Sequence, residues 1–508
     1  MAQIPGWPTG LEREDFPTIV HALRFAAAQN PETIAVVCLG ETMTYQELES
    51  AAASFSRHLI DQGIGTGDRV ALIAKTSAKL PALIYGILGA GAHLTMMNPL
   101  FTPHEWRPLC DIARPKLAIC DGDLRVPFDA LSDEFGFEII ESGAIALGSD
   151  AADWHEDRLP NRDDPGVLLF TGGTTGVSKG VPHTHRQILC SLMAIEDRWH
   201  TVPAEEVFLN VPPLFHIVGL YHGVFQPAYG RATAIFMPRF DPEETFRLIE
   251  KYKVTVCIAG VPTAYTALLA HPKCRQTDFS SLKFAGGGGA PLSAENLREW
   301  QKVTGAPALE GYGMTEGAPT CTNGINIDRK PRSVGQPVFG IELEIVDTQT
   351  GTQEMGVGEP GEIRVQGYHV VSTYFNNQEA TKAAFRDGWL YTGDIAYKDE
   401  DDYVFIVDRS KDMALVSGFN VFPREIDEVL VSHPGIKEAA AIGIPHPRKG
   451  EVIKAFVSLT EGTDLSAEDI ITFCREQLVS YKIPAEVEFV TDLPKTPIGK
   501  IDKRHLGP

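Results

Sequence analysis

The sequence has few cysteines, a deficit of basic residues and no visible N-terminal leader. Its eight cysteines are scattered without a CxxC pair, which predicts buried thiols in a reducing compartment. Its 45 basic residues are outnumbered by 67 acidic ones, and the net charge of −22 argues against non-specific binding of nucleic acid. The first residues carry neither the basic nor the apolar region of a signal peptide, so we expect a cytoplasmic protein.

Long uninterrupted apolar runs are also scarce. The most apolar stretch, residues 80–97, contains three glycines, a proline and a histidine. It has the length of a membrane span, but these interruptions favour a packed core helix followed by a strand. Hydrophobic residues make up 43% and charged residues 22% of the 508-residue chain, as in a globular protein with two or more domains.

Helix and strand patterns alternate through most of the chain. A capping box at residues 44–47 opens an amphipathic helix, and Thr102 and Asp241 each precede a proline that starts another helix. Short apolar runs such as residues 117–120 and 254–259 lie between the helices. This order predicts an α/β fold in which mainly parallel sheets are flanked by helices.

The pattern changes after residue 340. Residues 341–346 and 361–365 alternate between apolar and polar types, which predicts a small antiparallel β part. The acidic run 399–402 predicts a solvated hairpin turn, and the remainder has an α+β pattern. We therefore predict a large N-terminal domain of residues 1–408 and a small, mobile α+β C-terminal domain of residues 409–508.

The most informative segment is the loop that follows the apolar run 167–170. Its glycines free backbone N–H groups to face an anion, its hydroxyls add donors, and Lys179 adds positive charge, so its composition suits a phosphate. It is not a Walker loop, because Lys179 lies between Ser178 and Gly180. The alternative is a flexible surface loop. The candidate phosphate-binding residues are Thr171, Gly172, Gly173, Thr174, Thr175, Gly176 and Lys179.

Four further clusters lie at residues 309–316, 389–394, 408–412 and 494–500. In this order, the five segments resemble those of the acyl/aryl-CoA synthetases in the adenylate-forming superfamily. That superfamily also contains the adenylation domains of nonribosomal peptide synthetases and the firefly-type luciferases. The resemblance covers nearly the whole chain. It implies a ligase that uses ATP, Mg²⁺, CoA and a small-molecule carboxylic acid, and that forms acyl-AMP and pyrophosphate before acyl-CoA and AMP.

The resemblance also implies roles in the nucleotide site. Glu316 would hold Mg²⁺, Asp394 would accept hydrogen bonds from the ribose hydroxyls, and Thr315 would contact the α-phosphate. Lys500 would bridge the substrate carboxylate and the α-phosphate during adenylation. The alternatives are a solvated loop acid for Glu316, a turn cap for Asp394 and a solvated tail lysine for Lys500. Tyr312 would line the adenine pocket, and Arg409 would contact the ribose or a phosphate, with a plain surface ion pair as its alternative. Further nucleotide-binding candidates are Gly289, Glu310, Gly311, Gly313, Met314 and Lys411.

The resemblance also implies which residues serve the second step, the reaction with CoA. Lys411 occupies the family's hinge position, where the small domain would pivot between the two steps. The pivot would present Ser417 and Gly418 to the pantetheine tunnel, and Gly418 has no side chain to block a thiol. Tyr481 would stack on the CoA adenine, with ordinary packing as the alternative. Leu415 departs from the relatives that activate plant phenolic acids, several of which carry a lysine there.

The acid is indicated by two segments. His216 stands in a motif, residues 214–219, where amino-acid-activating relatives place an aspartate, so an amino-acid substrate is not expected. His216 would gate the pocket or contact the acyl carboxylate end, and with Lys500 and Thr315 it is a catalytic candidate; the alternative is a core histidine. Within the glycine run 286–289, the acyl-pocket candidates Gly287, Gly288 and Gly289 would widen an acyl tunnel, with a backbone turn as the alternative.

Residues 416–421 most resemble fatty acyl-CoA synthetases. We therefore expect a medium-chain, long-chain or bulky hydrophobic acid, and aryl acids remain open. Transfer of the acyl group to a separate acyl carrier or downstream transferase, a luciferase-like oxygenase and a non-catalytic acyl- or nucleotide-binding protein are the alternative functions. A homodimer also remains open.

Overall fold

The computed structural model of the protein describes residues 16–145, 147, 153–171, 178–289, 292–326, 328–409, 412–416, 419–446, 450–496 and 500–507. At residues 409, 415, 419 and 420 it describes the backbone alone. The chain divides into two compact units. The first unit comprises Met1–Arg329, Pro337–Glu342 and Gln366–Leu390, and the second comprises Lys330–Gln336, Leu343–Val365 and Tyr391–Pro508. The domain boundary expected between residues 408 and 409 stays a prediction.

The α-helices are α1 (Ile19–Gln29), α2 (Tyr45–Asp61), α3 (Leu80–Gly89), α4 (Pro103–Ala113), α5 (Gly122–Phe135), α6 (His185–Trp199), α7 (Ile217–Leu220), α8 (Gln226–Gly230), α9 (Pro242–Tyr252), α10 (Pro262–Ala270), α11 (Ala294–Thr304), α12 (Gln378–Ala384), α13 (Pro423–Val431) and α14 (Ala467–Arg475). A π-helix, Tyr221–Phe225, joins α7 to α8. Short 3₁₀ helices occur at Ser142–Ala144, Glu156–Arg158, Pro272–Arg275, Ser480–Lys482 and Lys503–His505.

The strands are β1 (Ile34–Cys38), β2 (Glu41–Thr44), β3 (Arg69–Ile73), β4 (His93–Met96), β5 (Leu117–Cys120), β6 (Glu138–Glu141), β7 (Pro165–Phe170), β8 (Gly180–Thr184), β9 (Val207–Asn210), β10 (Thr233–Phe236), β11 (Val256–Gly260), β12 (Phe284–Gly288), β13 (Ala308–Tyr312), β14 (Cys321–Thr322), β15 (Gln336–Pro337), β16 (Ile341–Val346), β17 (Gly361–Gly367), β18 (Phe385–Arg386), β19 (Trp389–Lys398), β20 (Val404–Arg409), β21 (Ala414–Val416), β22 (Phe419–Val421), β23 (Ile436–His446), β24 (Gly450–Leu459) and β25 (Glu486–Phe489).

Local sequence signals determine several helix starts. Thr44 accepts a hydrogen bond from the Glu47 N–H (3.2 Å), and the Glu47 carboxylate accepts from the Thr44 N–H (2.7 Å), which confirms the predicted capping box of α2. At the start of α4, the Glu105 carboxylate accepts from both the N–H (2.8 Å) and the hydroxyl (2.9 Å) of Thr102. The side chain of Asp241 accepts from the Glu244 N–H at the start of α9. These contacts satisfy N–H groups that have no partner within the helix.

Two sheets of the N-terminal part confirm the predicted α/β fold. The nine-stranded sheet has the order β15-β14-β13-β12-β11-β9-β10-β1-β2, and the six-stranded sheet has the order β6-β5-β3-β4-β7-β8. The central pairs of both sheets are parallel, whereas β1 with β2, β13 with β14 and β7 with β8 are antiparallel. The apolar stretch 80–97 forms α3 followed by β4, as expected. Among the helices described, none is both long and apolar enough to cross a membrane.

The predicted change of pattern after residue 340 is also confirmed. A third sheet has the order β16-β17-β19-β18, and β20 pairs antiparallel with β19. The acidic run forms the β19–β20 hairpin turn, where the Asp399 carboxylate accepts the Tyr403 N–H (3.0 Å). A fourth sheet of order β22-β21-β24-β23, with β25 on β24, packs with α13 and α14 around Ile426, Leu430 and Ile453.

Candidate active site

The two ends of the predicted phosphate loop are held together. Strands β7 and β8 pair antiparallel up to Phe170 and Gly180. Just beyond them, the Thr171 N–H donates to the Lys179 carbonyl (3.0 Å), and the Lys179 N–H donates to the Thr171 hydroxyl (3.3 Å). The loop therefore starts and ends on one rigid hairpin. Five candidate residues of this loop lie outside the described residues: Gly172, Gly173, Thr174, Thr175 and Gly176.

The cluster at residues 309–316, the second motif, begins on β13. Glu310 is buried, and its carboxylate accepts the Leu292 N–H (3.1 Å). Its backbone carbonyl accepts hydrogen bonds from the N–H and the side-chain amide of Asn323 (both 3.0 Å). Gly311 and Tyr312 complete the strand, and both are half-buried. The strand therefore ends at Tyr312, the residue predicted to line the adenine pocket, and Glu310 connects the strand to residues 292 and 323.

The loop that carries Thr315 and Glu316 follows Gly313 and Met314 and is held by buried donors. His183 Nε2 donates to the Thr315 carbonyl (2.8 Å), and His369 Nε2 donates to the Pro319 carbonyl (2.7 Å). Burial lowers the pKa of both histidines to about 4, so each is a neutral donor near pH 7. The Ser191 hydroxyl donates to the Ala318 carbonyl. The Val371 N–H donates to the Glu316 carbonyl (2.9 Å). Three side-chain donors and one backbone donor thus fix this loop.

Tyr374 brings the phosphate loop and the second motif together. Its hydroxyl donates to Glu316 Oε1 (2.6 Å), and its ring centroid lies 4.6 Å from Lys179 Nζ. Lys179 and Glu316 are 137 positions apart by number but contact the same phenol. The lysine and the carboxylate predicted to bind the triphosphate and its metal therefore lie in one cluster.

The glycine run lies on β12, next to β13. A Cβ at Gly288 would lie 2.6 Å from the Gly311 carbonyl oxygen, so the close approach of the two strands requires glycine there. Gly289 has φ of +74°, which also favours glycine. A Cβ at Gly287 would instead meet the side chains of Tyr265 (3.0 Å) and Leu292 (3.1 Å). The backbone alternative thus has direct support at Gly288 and Gly289, and the acyl-pocket role of the run stays a prediction.

His216 lies at the start of α7. Its Nδ1 accepts the Val218 N–H (3.4 Å), so the side chain caps the helix. The helix is continuous with the π-helix Tyr221–Phe225, and such π segments occur often at functional sites. The ring of Tyr221 packs against His183, the residue that holds Thr315, with centroids 5.9 Å apart. Capping explains the position of His216, and its gating role stays a prediction.

Other predicted site residues belong to the second unit. Asp394 on β19 is buried and lies opposite Arg409 on β20 in the antiparallel register. The Asp394 N–H donates to the Thr392 hydroxyl (3.1 Å), which in turn donates to the Ile363 carbonyl (3.0 Å). Asp394, predicted to contact the ribose, and Arg409, predicted to contact the ribose or a phosphate, thus occupy paired positions on neighbouring strands.

Lys500 lies next to an isolated antiparallel β-bridge that joins residues 495 and 501. The Lys500 carbonyl accepts the Thr496 N–H (2.7 Å), and the Lys500 N–H donates to the Thr496 hydroxyl (3.2 Å). Its two neighbouring cations are paired: Lys503 Nζ lies 2.6 Å from the Asp427 carboxylate, and Arg504 binds Asp502. The role of Lys500 in the adenylation step stays a prediction.

The residues predicted for the hinge and the CoA side are only partly described. Lys411, Ser417 and Gly418 lie outside the described residues, as does the side chain of Arg409. Tyr481 lies in the 3₁₀ turn Ser480–Lys482 and packs against the hydrophobic core of the fourth sheet. This contact supports the packing alternative for Tyr481, and stacking on CoA stays a prediction.

The donor chemistry fits magnesium. The Glu316 carboxylate is held by the Tyr374 hydroxyl, and the same tyrosine ring contacts Lys179, whose ammonium suits phosphate oxygens. No group of three His, Cys, Asp or Glu side chains able to hold a metal occurs within the part of the chain that the structure describes. One carboxylate is sufficient for Mg²⁺ when nucleotide phosphates supply further oxygen ligands.

Sequence patterns did not point to His183, His369 or Tyr374. The only local signal is a pair of histidines, His183 on β8 and His185 at the start of α6, shortly after the predicted phosphate loop. Tyr374 carries no local signal, because its partners are distant in sequence.

Comparison with known proteins agrees with this geometry. Residues 23–375 match the family model described as AMP-binding enzyme, and residues 425–500 match the one described as AMP-binding enzyme C-terminal domain. A "Long-chain-fatty-acid--CoA ligase" of Escherichia coli O157:H7 is 34% identical over 98% of this chain and 96% of its own length. A "4-coumarate--CoA ligase 3" of Oryza sativa subsp. japonica is 32% identical over 92% of this chain and 87% of its own length.

Among solved structures, ATP-bound MatB from Rhodopseudomonas palustris superposes with a TM-score of 0.89, at 31% identity over 96% of this chain and 98% of that chain. The fold and the site thus define an AMP-forming acyl-CoA synthetase, an acid–thiol ligase that uses ATP, CoA and a small-molecule carboxylic acid. The chain belongs to the AMP-binding enzyme family, and the resemblance found in the sequence is confirmed.

Proposed function

We propose that this ligase activates a medium- or long-chain, or otherwise bulky hydrophobic, carboxylic acid. The observation that carries this choice is the near-full-length similarity to a ligase named for long-chain fatty acids. The surroundings of the glycine run agree with it, since Gly286 faces Ile258 and Trp199 and Gly287 faces Leu292, all buried apolar side chains. The relative named for 4-coumarate keeps an aryl acid as the second candidate.

In the first step, the acid's carboxylate would attack the α-phosphorus of ATP and release pyrophosphate. Thr171 and Lys179 would bind the β- and γ-phosphates, Thr315 would bind the α-phosphate, and Lys500 would reduce the repulsion between the two anions. Glu316 would hold Mg²⁺, which neutralises phosphate charge when bound. Tyr312 would line the adenine pocket, Asp394 would hold the ribose, and Arg409 would contact the ribose or a phosphate.

In the second step, the CoA thiol would attack the acyl-AMP carbonyl, forming the thioester and releasing AMP. A pivot at Lys411 would withdraw Lys500 and present Ser417 and Gly418 to the thiol arm. Transfer to a carrier protein is the alternative for this step. A cytoplasmic location and a homodimer stay predictions from the sequence.

One assay tests both the acid and the acceptor. Pyrophosphate release is followed with acetate, octanoate, palmitate and 4-coumarate, each with and without CoA, and thioester is measured separately. We expect kcat/KM for octanoate or palmitate to exceed that for acetate by at least about tenfold, because each buried methylene adds binding energy. A preference for 4-coumarate would favour the aryl candidate. Adenylate formation without any thioester from free CoA would favour the carrier alternative.

A further inference from the structure

Tyr374 is fixed in place by its own segment. It precedes α12, and its N–H donates to the Thr381 hydroxyl (2.9 Å), which donates in turn to the Asn377 carbonyl (2.7 Å). Its ring packs edge-on against Phe385, with centroids 5.5 Å apart. The side chain is only 5% exposed, so the position of its hydroxyl is set by packing on several sides.

The two polar contacts of Tyr374 differ in kind. The hydroxyl donates to the Glu316 carboxylate at 2.6 Å, whereas the ring face lies 4.6 Å from the Lys179 ammonium. A tyrosine phenol keeps its proton at neutral pH, so the hydroxyl is the donor and the carboxylate the acceptor. A hydrogen bond from a rigid donor limits the orientations that the carboxylate can adopt.

Lys179 and Glu316 carry opposite charges beside the same ring, yet among the described residues no ion pair joins them. A direct pair would neutralise both groups, and it would have to break before the lysine could bind phosphate and the carboxylate could bind a metal. An aromatic face attracts an ammonium more weakly than a carboxylate does, so it holds the lysine without competing strongly with phosphate.

We propose that Tyr374 is a positioning residue for the triphosphate and its metal. Its hydroxyl orients the Glu316 carboxylate toward Mg²⁺, and its ring keeps Lys179 apart from that carboxylate. This inference rests on the proposed function, in which Glu316 holds Mg²⁺ and Lys179 binds phosphate.

The test measures nucleotide binding without turnover. Binding of ATP to the full chain is measured by isothermal titration calorimetry without any acid substrate, once with excess MgCl₂ and once with EDTA. Tyr374→Phe keeps the ring over Lys179 and removes only the hydroxyl. We expect its Kd for ATP to rise about tenfold with Mg²⁺ and to change less than about twofold with EDTA, because a group that orients a metal ligand acts only when the metal is bound.

A second variant tests the role of the ring. Tyr374→Leu removes the aromatic face, and we expect weaker ATP binding with and without Mg²⁺, because Lys179 can then pair with Glu316. Tyr45→Phe is the matched control, since the Tyr45 hydroxyl is buried in the same unit and donates to the Pro227 (3.0 Å) and Ala232 (2.6 Å) carbonyls. It should lower the Tm as Tyr374→Phe does but leave both Kd values unchanged.

The possible outcomes separate this inference from the proposed function. In a Glu316→Gln background, Tyr374→Phe should add no further loss, because its partner carboxylate is gone. Suppose that Glu316→Gln reduces the magnesium dependence of ATP binding. If Tyr374→Phe then binds ATP as the wild type does, or binds it equally more weakly with Mg²⁺ and with EDTA, the role of Tyr374 is overturned while the proposed function stands. If Glu316→Gln leaves the magnesium dependence unchanged, the metal role in the proposed function fails, and the inference fails with it.

Discussion

At the scale of single residues, Lys500 and Lys503 are nearby cations for which we expect different roles. Lys503 is held by the Asp427 carboxylate at 2.6 Å, which anchors the C-terminal segment to α13. The Lys500 N–H and carbonyl both bond to Thr496, next to the β-bridge between residues 495 and 501. Lys500 is the residue predicted to act on the substrate, and a substitution can test this.

We predict that Lys500→Ala separates the two half-reactions. Acid-dependent pyrophosphate release should fall roughly 100- to 1000-fold, because a positioned charge that stabilises the transition state is lost. Conversion of supplied acyl-AMP and CoA to thioester should stay close to the wild-type rate. Lys437→Ala is the control, since it removes an exposed lysine that pairs with Asp492 in the same part of the chain. Equal loss of both half-reactions would remove the assignment of Lys500 to adenylation.

At the scale of secondary structure elements, the pairing of β12 with β13 changes the interpretation of the glycine run. From the sequence, Gly288 is a place where added bulk would fill the acyl tunnel. The structure places the Gly311 carbonyl 2.6 Å from a Cβ at Gly288, so a side chain there would push the strands apart. At Gly287, a Cβ would meet side chains that can shift, those of Tyr265 and Leu292.

We therefore predict different effects for the two glycines. Gly288→Val should lower the free energy of unfolding by about 2 kcal/mol and reduce kcat/KM for all acids alike, because overpacking displaces backbone. Gly287→Ala should change the ratio of kcat/KM for palmitate to that for acetate with a smaller loss of stability. Gly65→Ala, where a Cβ would have open space, is the control in urea unfolding and in the acid panel. A selective effect on palmitate from Gly288→Val would restore the tunnel interpretation at that position.

The elements that the sequence predicted well are those with local signals. The capping box of α2, the α3–β4 stretch and the antiparallel strands after residue 340 each depend on residues a few positions apart. The contacts of His183 with Thr315 and of Tyr374 with Glu316 join residues 132 and 58 positions apart. Periodicity and capping patterns carry no information on such pairs. The residues that fix the loop with Thr315 and Glu316 could therefore be found only from the fold.

At the scale of the whole molecule, buried histidines couple stability to pH. His93, His183 and His369 each have a pKa lowered to about 4, and that of His185 is lowered to about 3, in all four cases mainly by burial. An unfolded histidine titrates near 6.5, so the unfolded chain takes up protons at a higher pH than the folded one. Stability is therefore complete above about pH 6.5 and is lost as the pH falls toward 4.

We predict that this loss depends on each buried histidine separately. Each one should remove up to roughly 1.4 kcal/mol of stability per pH unit between its unfolded and folded pKa values. In urea unfolding between about pH 7.5 and about pH 4.5, His369→Gln should start less stable than the wild type but lose stability less steeply. The variant amide can still donate to the Pro319 carbonyl, so the loop contact is preserved while the titration is removed.

A control variant and the titration of Asp502 are needed to interpret the slope measured for His369→Gln. His104→Gln replaces an exposed histidine and should reproduce the wild-type slope. Asp502, whose pKa is lowered to about 2 chiefly by its hydrogen bond to Arg504, loses its contribution only at lower pH and so does not mask the histidine window. If His369→Gln and the wild type lose stability with the same slope between about pH 6.5 and about pH 4.5, then His369 takes up its proton over the same pH range in the folded and the unfolded chain, and burial does not hold its ring neutral.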